Sequence, residues 1–191
     1  MPNACRPLQM IHSFDRWPGK TVEAMRNRIH ELKDAGLGGL VVNVSFKDYL
    51  LDKAAWATFR RGVRIAHQEG MRIWIYDEEG YPSGAAGGRV LAEAPLVEAQ
   101  GLIRVVDRSR GVRYETIRLY EGTHATENFY QKRPCINILD PRAVATFLAV
   151  THDRYAAALK PIARYVEAFF TDEPSLNSVY IPENRNYPKT L

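Results

Sequence analysis

Short apolar runs recur along the N-terminal part of the chain, and each ends in polar or turn residues. The runs lie at 8–14, 38–44 and 71–76, and their length and apolar content predict strands. The second run is rich in β-branched residues and shows no alternation of polar and apolar positions, which is typical of a parallel strand covered on both faces. The pattern therefore predicts three strands before the middle of the chain.

Between these runs, apolar residues recur at three- and four-residue spacing, which predicts two amphipathic helices. Thr21 is the predicted N-cap of the first helix, and Gly36 is its predicted stop. Asp52 is expected to cap the second helix, which Gly70 ends. The predicted buried stripe of the second helix comprises Trp56, Phe59, Val63 and Ala66.

The alternation of predicted strands and helices is interrupted once in the second half of the chain. Two β-rich runs within 101–120 flank a turn-like segment, which predicts a β-hairpin insertion. Asp140 and Pro141 are typical of a helix start, and the apolar spacing after them predicts one helix. The predicted packing face of this helix comprises Val144, Phe147, Leu148, Thr151, Tyr155 and Leu159.

A fourth parallel strand is predicted at 166–171, whereas 177–191 shows no helical period. Strands and helices alternate with short connections, and right-handed crossovers turn that order into a parallel sheet. We therefore expect an α/β fold in which residues 1–191 form a single domain of about four βα units. The hairpin at 101–120 is expected to interrupt this domain.

Composition and charge narrow the class of protein. The chain of 191 residues is 46% hydrophobic and 25% charged, which is ordinary for a soluble domain. Its 26 basic residues are interspersed with 22 acidic ones, so we expect no nucleic-acid partner. No apolar stretch has signal-peptide or membrane-spanning length, which favours a cytoplasmic chain without a membrane partner. Cys5 and Cys135 form neither a zinc motif nor a disulfide framework.

Polar side chains follow every predicted parallel strand at its carboxyl end. In parallel βα folds these ends surround one common mouth, where functional side chains gather. The residues at the four ends are His12, Asp15, Asn43, Ser45, Asp77, Glu78, Glu79, Asp172 and Glu173. The sequence therefore predicts a carboxylate-rich rim.

Such a rim fits the hydrolysis of a glycosidic bond. One carboxylic acid protonates the leaving oxygen, and a second carboxylate acts as base or nucleophile. Glu173 is the predicted acid, because a position between Phe170 and Pro174 is expected to bury its carboxyl group and favour the protonated form. Asp172 is expected to orient Glu173. A loop-capping role is the alternative for each acid at 77–79.

Other chemistries fit the sequence less well. Ser83 lies in the segment 80–84, which lacks the G-x-S-x-G pattern of a nucleophile elbow. The glycines at 84–88 lack the Lys-Ser/Thr of a phosphate-binding loop, and they favour a tight loop against a ligand or a neighbouring backbone. Tyr76 and Tyr81 are candidates for stacking on a sugar ring, with packing as the alternative for each.

Four motifs together resemble a known family. They are GLGG at 36–39, YDEEGYPSGAAGG at 76–88, LDP at 139–141 and FTDEP at 170–174. This set is similar to the α-L-rhamnosidase-type glycoside hydrolases, family 106 and its relatives. The resemblance spans most of the chain, and the second motif is specific in its length and order.

The resemblance implies a (β/α)₈ TIM-like catalytic barrel that removes rhamnose or a related sugar with inversion. Glu173 corresponds to a catalytic glutamate after the fourth strand, and calcium is a candidate cofactor with no ligand residue assigned. Apart from the resemblance, we expect contacts to the carbohydrate substrate from His12, Asp77, Glu78, Tyr81, Ser83 and Asp172. A cation is the alternative ligand for His12, Asp77 and Glu78.

The chain is shorter than a complete barrel, which typically needs about 250 residues. We therefore expect the N-terminal half of the barrel, with the second catalytic carboxylate outside this chain. Four strands of an eight-stranded barrel leave two open edges. Those edges predict either a missing C-terminal half or self-association of this chain.

Two alternatives to a glycosidase stay open at this point. The first is a non-catalytic carbohydrate-binding or assembly fragment that keeps the rim without a complete acid–base pair. The second is a metal-dependent hydrolase that uses His12, Asp15, Asp77 and Asp172. One histidine among carboxylates suits calcium or magnesium better than catalytic zinc.

Overall fold

The computed structural model of this chain has a mixed α/β architecture, with a parallel sheet of four strands and short antiparallel pairs. It describes residues 2–17, 21–45, 48–107, 109–121, 133–174 and 179–180. The α/β class predicted from the sequence is confirmed.

Two compact units make up the chain. The first, which we call the sheet unit, comprises Met1–Glu79 and Ala149–Asp172. The second, which we call the hairpin unit, comprises Gly80–Leu148 and Glu173–Leu191. The single domain and the half-barrel stay predictions.

Eight strands and five helices are formed by the described residues. The strands are β1 (Leu8–Ile11), β2 (Gly39–Val42), β3 (Arg72–Tyr76), β4 (Gln100–Asp107), β5 (Gly111–Arg118), β6 (Tyr120–Glu121), β7 (Val166–Phe170) and β8 (Val179–Tyr180). The helices are α1 (Val22–Asp34), α2 (Lys53–Gln68), α3 (Arg89–Glu93), α4 (Pro141–Val150) and α5 (His152–Leu159). Short 3₁₀ turns lie at Asn3–Cys5, Pro95–Val97 and Lys160–Tyr165.

The sheet unit contains the predicted parallel sheet, in the order β1-β2-β3-β7. All four residues of β2 are buried, as expected of a strand covered on both faces. Each strand is shorter than the apolar run that predicted it. The polar residues at the carboxyl ends therefore lie beyond the ladder, where their side chains are available for other contacts.

Helices α1 and α2 of the sheet unit begin and end where the sequence predicts. The hydroxyl oxygen of Thr21 accepts a hydrogen bond from the backbone N of Ala24 at 3.1 Å. Asp52 accepts from the backbone N of Ala54 at 2.7 Å. Gly36 and Gly70 follow the helices with φ of 92° and 77°, which only glycine adopts readily. The predicted stripe of α2 is buried at Trp56, Phe59, Val63 and Ala66.

The single helix predicted after Asp140 is two helices in the structure. Thr151 separates α4 from α5 with φ −111° and ψ −76°. Its hydroxyl group lies 2.9 Å from Nδ1 of His152, and such local side-chain bonds compete with the helix ladder. The predicted packing face is only partly buried, because Val144 and Leu148 are 41% and 43% exposed.

The hairpin unit contains the predicted antiparallel pair. Strands β4 and β5 pair from Gln100 opposite Arg118 to Asp107 opposite Gly111. At the turn, Oδ1 of Asp107 accepts from the backbone N of Ser109 at 2.8 Å, which satisfies the backbone where the ladder ends.

Some of the sequence predictions concern residues at or beyond the limits of the described ranges. The segment 177–191 falls outside them except for Val179–Tyr180, which form β8. Among the described strands, β1 and β7 are the edges of the parallel sheet, so closure into a barrel stays a prediction. None of the helices in the described ranges is long and apolar enough to cross a membrane.

Candidate functional site

The carboxyl ends of the four parallel strands gather polar side chains in the sheet unit. His12 follows β1, Asn43 follows β2, Asp77 and Glu78 follow β3, and Asp172 follows β7. Contacts between these side chains link the ends of neighbouring strands. The other predicted site residues, Tyr81, Ser83 and Glu173, belong to the hairpin unit.

Three side chains at this end form what we call the tyrosine cluster, comprising His12, Tyr76 and Asp172. The hydroxyl group of Tyr76 donates to Oδ2 of Asp172 at 3.1 Å. The ring centroids of His12 and Tyr76 are 5.2 Å apart. Tyr76 is 1% exposed, Asp172 is half-buried and His12 is exposed at the rim. The cluster therefore runs from the core to the surface.

The electrostatics of the tyrosine cluster favour neutral donors beside a carboxylate. Burial, assisted by the charge of Asp172, raises the pKa of Tyr76 far above its ordinary value, so its phenol stays protonated. Partial burial of the imidazole ring also lowers the pKa of His12, although its hydrogen bond with Asn43 and the charge of Asp172 act in the opposite direction. Both residues are therefore suited to hydrogen bonding without a formal charge at neutral pH.

Asn43 holds the ends of three strands together. Its Oδ1 accepts from the backbone N of Ser13 at 3.0 Å, and its Nδ2 donates to the carbonyl oxygen of Glu78 at 2.7 Å. The side chain is fully buried. The amide therefore acts as a cross-link between the segments that follow β1, β2 and β3.

Asp77 and Glu78 are buried, with no exposed surface on either residue. Oδ2 of Asp77 accepts from the Thr171 hydroxyl at 2.6 Å, and Oε1 of Glu78 accepts from the backbone N of Glu79 at 2.9 Å. These internal contacts match the structural alternative considered for Asp77 and Glu78. Direct contact of either carboxylate with a sugar stays a prediction, and it requires the surrounding side chains to move.

His152 belongs to this end of the sheet and was missed by the sequence interpretation. Its Nε2 lies 3.7 Å from Oδ2 of Asp77, and its ring lies 4.3 Å from that of Phe169. Burial lowers its pKa, against the opposing charges of Asp77 and Asp153. The sequence held no signal for this residue, because helical periodicity continued through it and hid the break at Thr151.

In the hairpin unit, Tyr81 and Glu173 form a second pair of a tyrosine and a carboxylate. The hydroxyl group of Tyr81 donates to Oε2 of Glu173 at 3.0 Å. The predicted burial of Glu173 is wrong, because the residue is exposed. Glu173 lies beyond the end of an edge strand and has a φ of 41°, a left-handed conformation that turns the chain away from the strand direction.

The segment that follows Tyr81 is a tightly folded loop in the hairpin unit. Ser83 is 3% exposed, so its hydroxyl group is enclosed. Positive φ angles occur at Gly84, Gly87 and Gly88. A Cβ atom at Gly84 would lie 3.3 Å from Cδ1 of Ile136, so the glycine permits the close approach of that side chain. Ser83 and the glycines thus pack the loop against its own unit.

Asp15 and Ser45, also predicted for the rim, bond to each other in the sheet unit. Oδ1 of Asp15 accepts from the backbone N of Ser45 at 2.6 Å, and the Ser45 hydroxyl donates to Oδ2 of the same carboxylate. Within the described ranges, no group of His, Cys, Asp and Glu side chains has an arrangement that would hold a metal ion. The alternative of a metal-dependent hydrolase stays a prediction.

Comparison with protein families, with curated proteins and with solved structures gives no match to this chain. The likeness to rhamnosidase-type hydrolases therefore rests on its sequence motifs and stays a prediction. Evidence on function comes from one tyrosine–carboxylate pair in each unit and from the enclosed acids of the sheet unit.

Proposed function

We propose that this protein acts on carbohydrates as a glycoside hydrolase of the α-L-rhamnosidase type, with Glu173 as its acid. The observation that carries the proposal is the presence of two consecutive carboxylates that each accept a tyrosine hydroxyl. Asp172 accepts from Tyr76 at 3.1 Å, and Glu173 accepts from Tyr81 at 3.0 Å. Neutral donors orient a carboxylate without neutralising it, which suits groups that must exchange a proton or bind sugar hydroxyls.

In this proposal, Glu173 gives its proton to the glycosidic oxygen as the bond to the anomeric carbon breaks. Its exposed position means that desolvation must come from the bound sugar, which excludes water when it covers the carboxyl group. Asp172, which belongs to the sheet unit, is a separate acceptor for sugar hydroxyls in this proposal. The base that activates water is a second carboxylate, which we expect outside this chain.

A second candidate function is carbohydrate binding without hydrolysis. It is favoured by the burial of Asp77 and Glu78, whose carboxylates already accept internal hydrogen bonds. With those two acids enclosed, a complete pair of acid and base is not assembled from these two residues. The oriented acceptor at Asp172 would still suffice to bind a sugar.

Hydrolysis of an aryl α-L-rhamnoside and calorimetric binding of L-rhamnose together test the proposal, with turnover measured in the complete protein that supplies the second carboxylate. We expect Glu173→Gln to lower turnover by about 100-fold or more, because glutamine cannot donate the proton. We expect rhamnose binding and the circular dichroism spectrum to stay close to those of the wild type, since glutamine keeps the shape of the side chain.

Glu115→Gln is the matched control, because it makes the same change on β5 at a carboxylate that pairs with Arg113. This variant should keep wild-type turnover. Full activity in Glu173→Gln would refute the assignment of the acid. Rhamnose binding without hydrolysis at any concentration of that complete protein would instead establish the binding function.

A further inference from the structure

Tyr76 is held rigidly at the end of the central strand β3. Its side chain is 1% exposed. Its ring centroid lies 5.9 Å from that of Phe170 and 5.2 Å from that of His12, with interplanar angles of 47° and 59°. Because packing on two sides fixes both side-chain torsions, the hydroxyl group occupies one place before any ligand arrives.

The pairing of β3 with β7 determines which carboxylate accepts the hydrogen bond from the Tyr76 hydroxyl. Tyr76 is opposite Phe170 in the parallel register. Asp172 follows Phe170 by two residues, so an extended chain returns its side chain to the same face. The result is the 3.1 Å hydrogen bond from Tyr76 to Oδ2 of Asp172.

Tyr76 acts as a donor at any ordinary pH. Burial and the neighbouring acids Asp172, Glu78 and Asp77 raise the pKa of its phenol, so the hydroxyl keeps its proton. A carboxylate that accepts from a fixed donor loses freedom to rotate, and a preorganised acceptor binds a ligand at lower entropic cost. The half-buried position of Asp172 keeps it within reach of the surface.

We propose that Tyr76 is the positioning residue of Asp172 and holds its carboxylate in one rotamer as an acceptor for the hydroxyl groups of a sugar ring. Tyr76 itself acts through Asp172 and does not contact the ligand. The class of ligand, a polyhydroxylated sugar, rests on the proposed function, whereas the positioning of Asp172 does not.

Tyr76→Phe tests the positioning directly, because it removes one oxygen atom and leaves the packed ring. We expect the χ1 couplings of Asp172, measured by NMR without ligand, to indicate one rotamer in the wild type and averaging in Tyr76→Phe. Unchanged couplings in the variant would overturn the inference. Tyr165→Phe is the control. The Tyr165 hydroxyl accepts a hydrogen bond from Arg164 and lies before the start of β7, so its removal should leave the Asp172 couplings unchanged.

Binding of L-rhamnose tests the consequence for the ligand. We expect Tyr76→Phe and Asp172→Asn each to weaken binding by about tenfold, and the double variant to be no weaker than Asp172→Asn alone. Additive losses in the double variant would overturn the claim that Tyr76 acts through Asp172. If Asp172 averages in Tyr76→Phe while the wild type binds no sugar, the positioning is supported and the proposed function fails.

Discussion

At the scale of single residues, the polar side chains that follow the strands fall into two groups according to their burial. Asn43, Asp77 and Glu78 are enclosed and bond to backbone or side-chain groups of their own unit. His12 and Asp172 extend from the core towards the surface. Aspartate occurs in both groups, so residue type does not separate them. Burial and hydrogen bonding distinguish the structural residues from those of a binding surface.

Asp77→Ala is expected to destabilise the fold. Truncation leaves the Thr171 hydroxyl without its acceptor at 2.6 Å, removes the carboxylate beside His152 and opens a cavity at a fully buried position. Losses of this kind cost about 2–4 kcal/mol in the free energy of unfolding, which urea denaturation measures. Asp34→Ala, at an exposed position of α1, is the control and should leave the urea midpoint unchanged. A midpoint in Asp77→Ala equal to that of the wild type would show that Asp77 has no structural role.

At the scale of elements, helix α2 packs against the rest of the sheet unit through aromatic side chains. Phe59 meets Phe14 and Trp56 edge to face, with ring centroids 6.1 Å and 5.9 Å apart. Gly62 lies on the same helix where Phe14 approaches closely. Edge-to-face pairs stabilise a core beyond their buried area, so the face of α2 is matched to one arrangement of these rings.

Gly62→Ala is expected to destabilise the protein even though alanine is the better helix former. A Cβ atom at this position would lie 2.7 Å from Cε1 of Phe14, a fully buried ring that has little room to move. Overpacking costs about 1–3 kcal/mol, which exceeds the gain in helix propensity of about 1 kcal/mol. Thermal denaturation measures the difference. The double variant with Phe14→Leu should recover part of the loss, and a single variant more stable than the wild type would contradict the packing argument.

At the scale of the whole molecule, the two units differ in how their strands are covered. Strand β2 is buried throughout and lies between β1 and β3. Strand β5 pairs on one side with β4 and is exposed along most of its length. Local opening is easiest where few apolar contacts cover the backbone, so the hairpin unit should open more readily than the centre of the sheet.

Hydrogen exchange measured by mass spectrometry tests this difference. Peptides that cover β2 and β3 should exchange at least about 100-fold more slowly than peptides that cover β5. Peptides from α1 are a reference within the sheet unit. Equal rates in β2 and β5 would mean that the chain opens as one cooperative body, against the uneven coverage of its strands.

The sequence by itself determined the four parallel strands, the hairpin and helices α1 and α2, in their order. The helix caps at Thr21 and Asp52, the stops at Gly36 and Gly70 and the stripe of α2 depend on neighbouring residues along the chain, and all are present in the structure. The polar ends of the strands were also predicted, because the apolar runs give way to polar residues near the points where the strands end. Local periodicity and capping are sufficient for these features.

Only the tertiary structure decided what each polar end does. The hydrogen bond from Tyr76 to Asp172 depends on the register of β3 with β7, and the exposure of Glu173 depends on the turn of the chain beyond an edge strand. The position of His152 beside Asp77 depends on a helix break that periodicity concealed. The physical reason is the same in each case, because burial and hydrogen bonding between distant segments are set by packing in three dimensions.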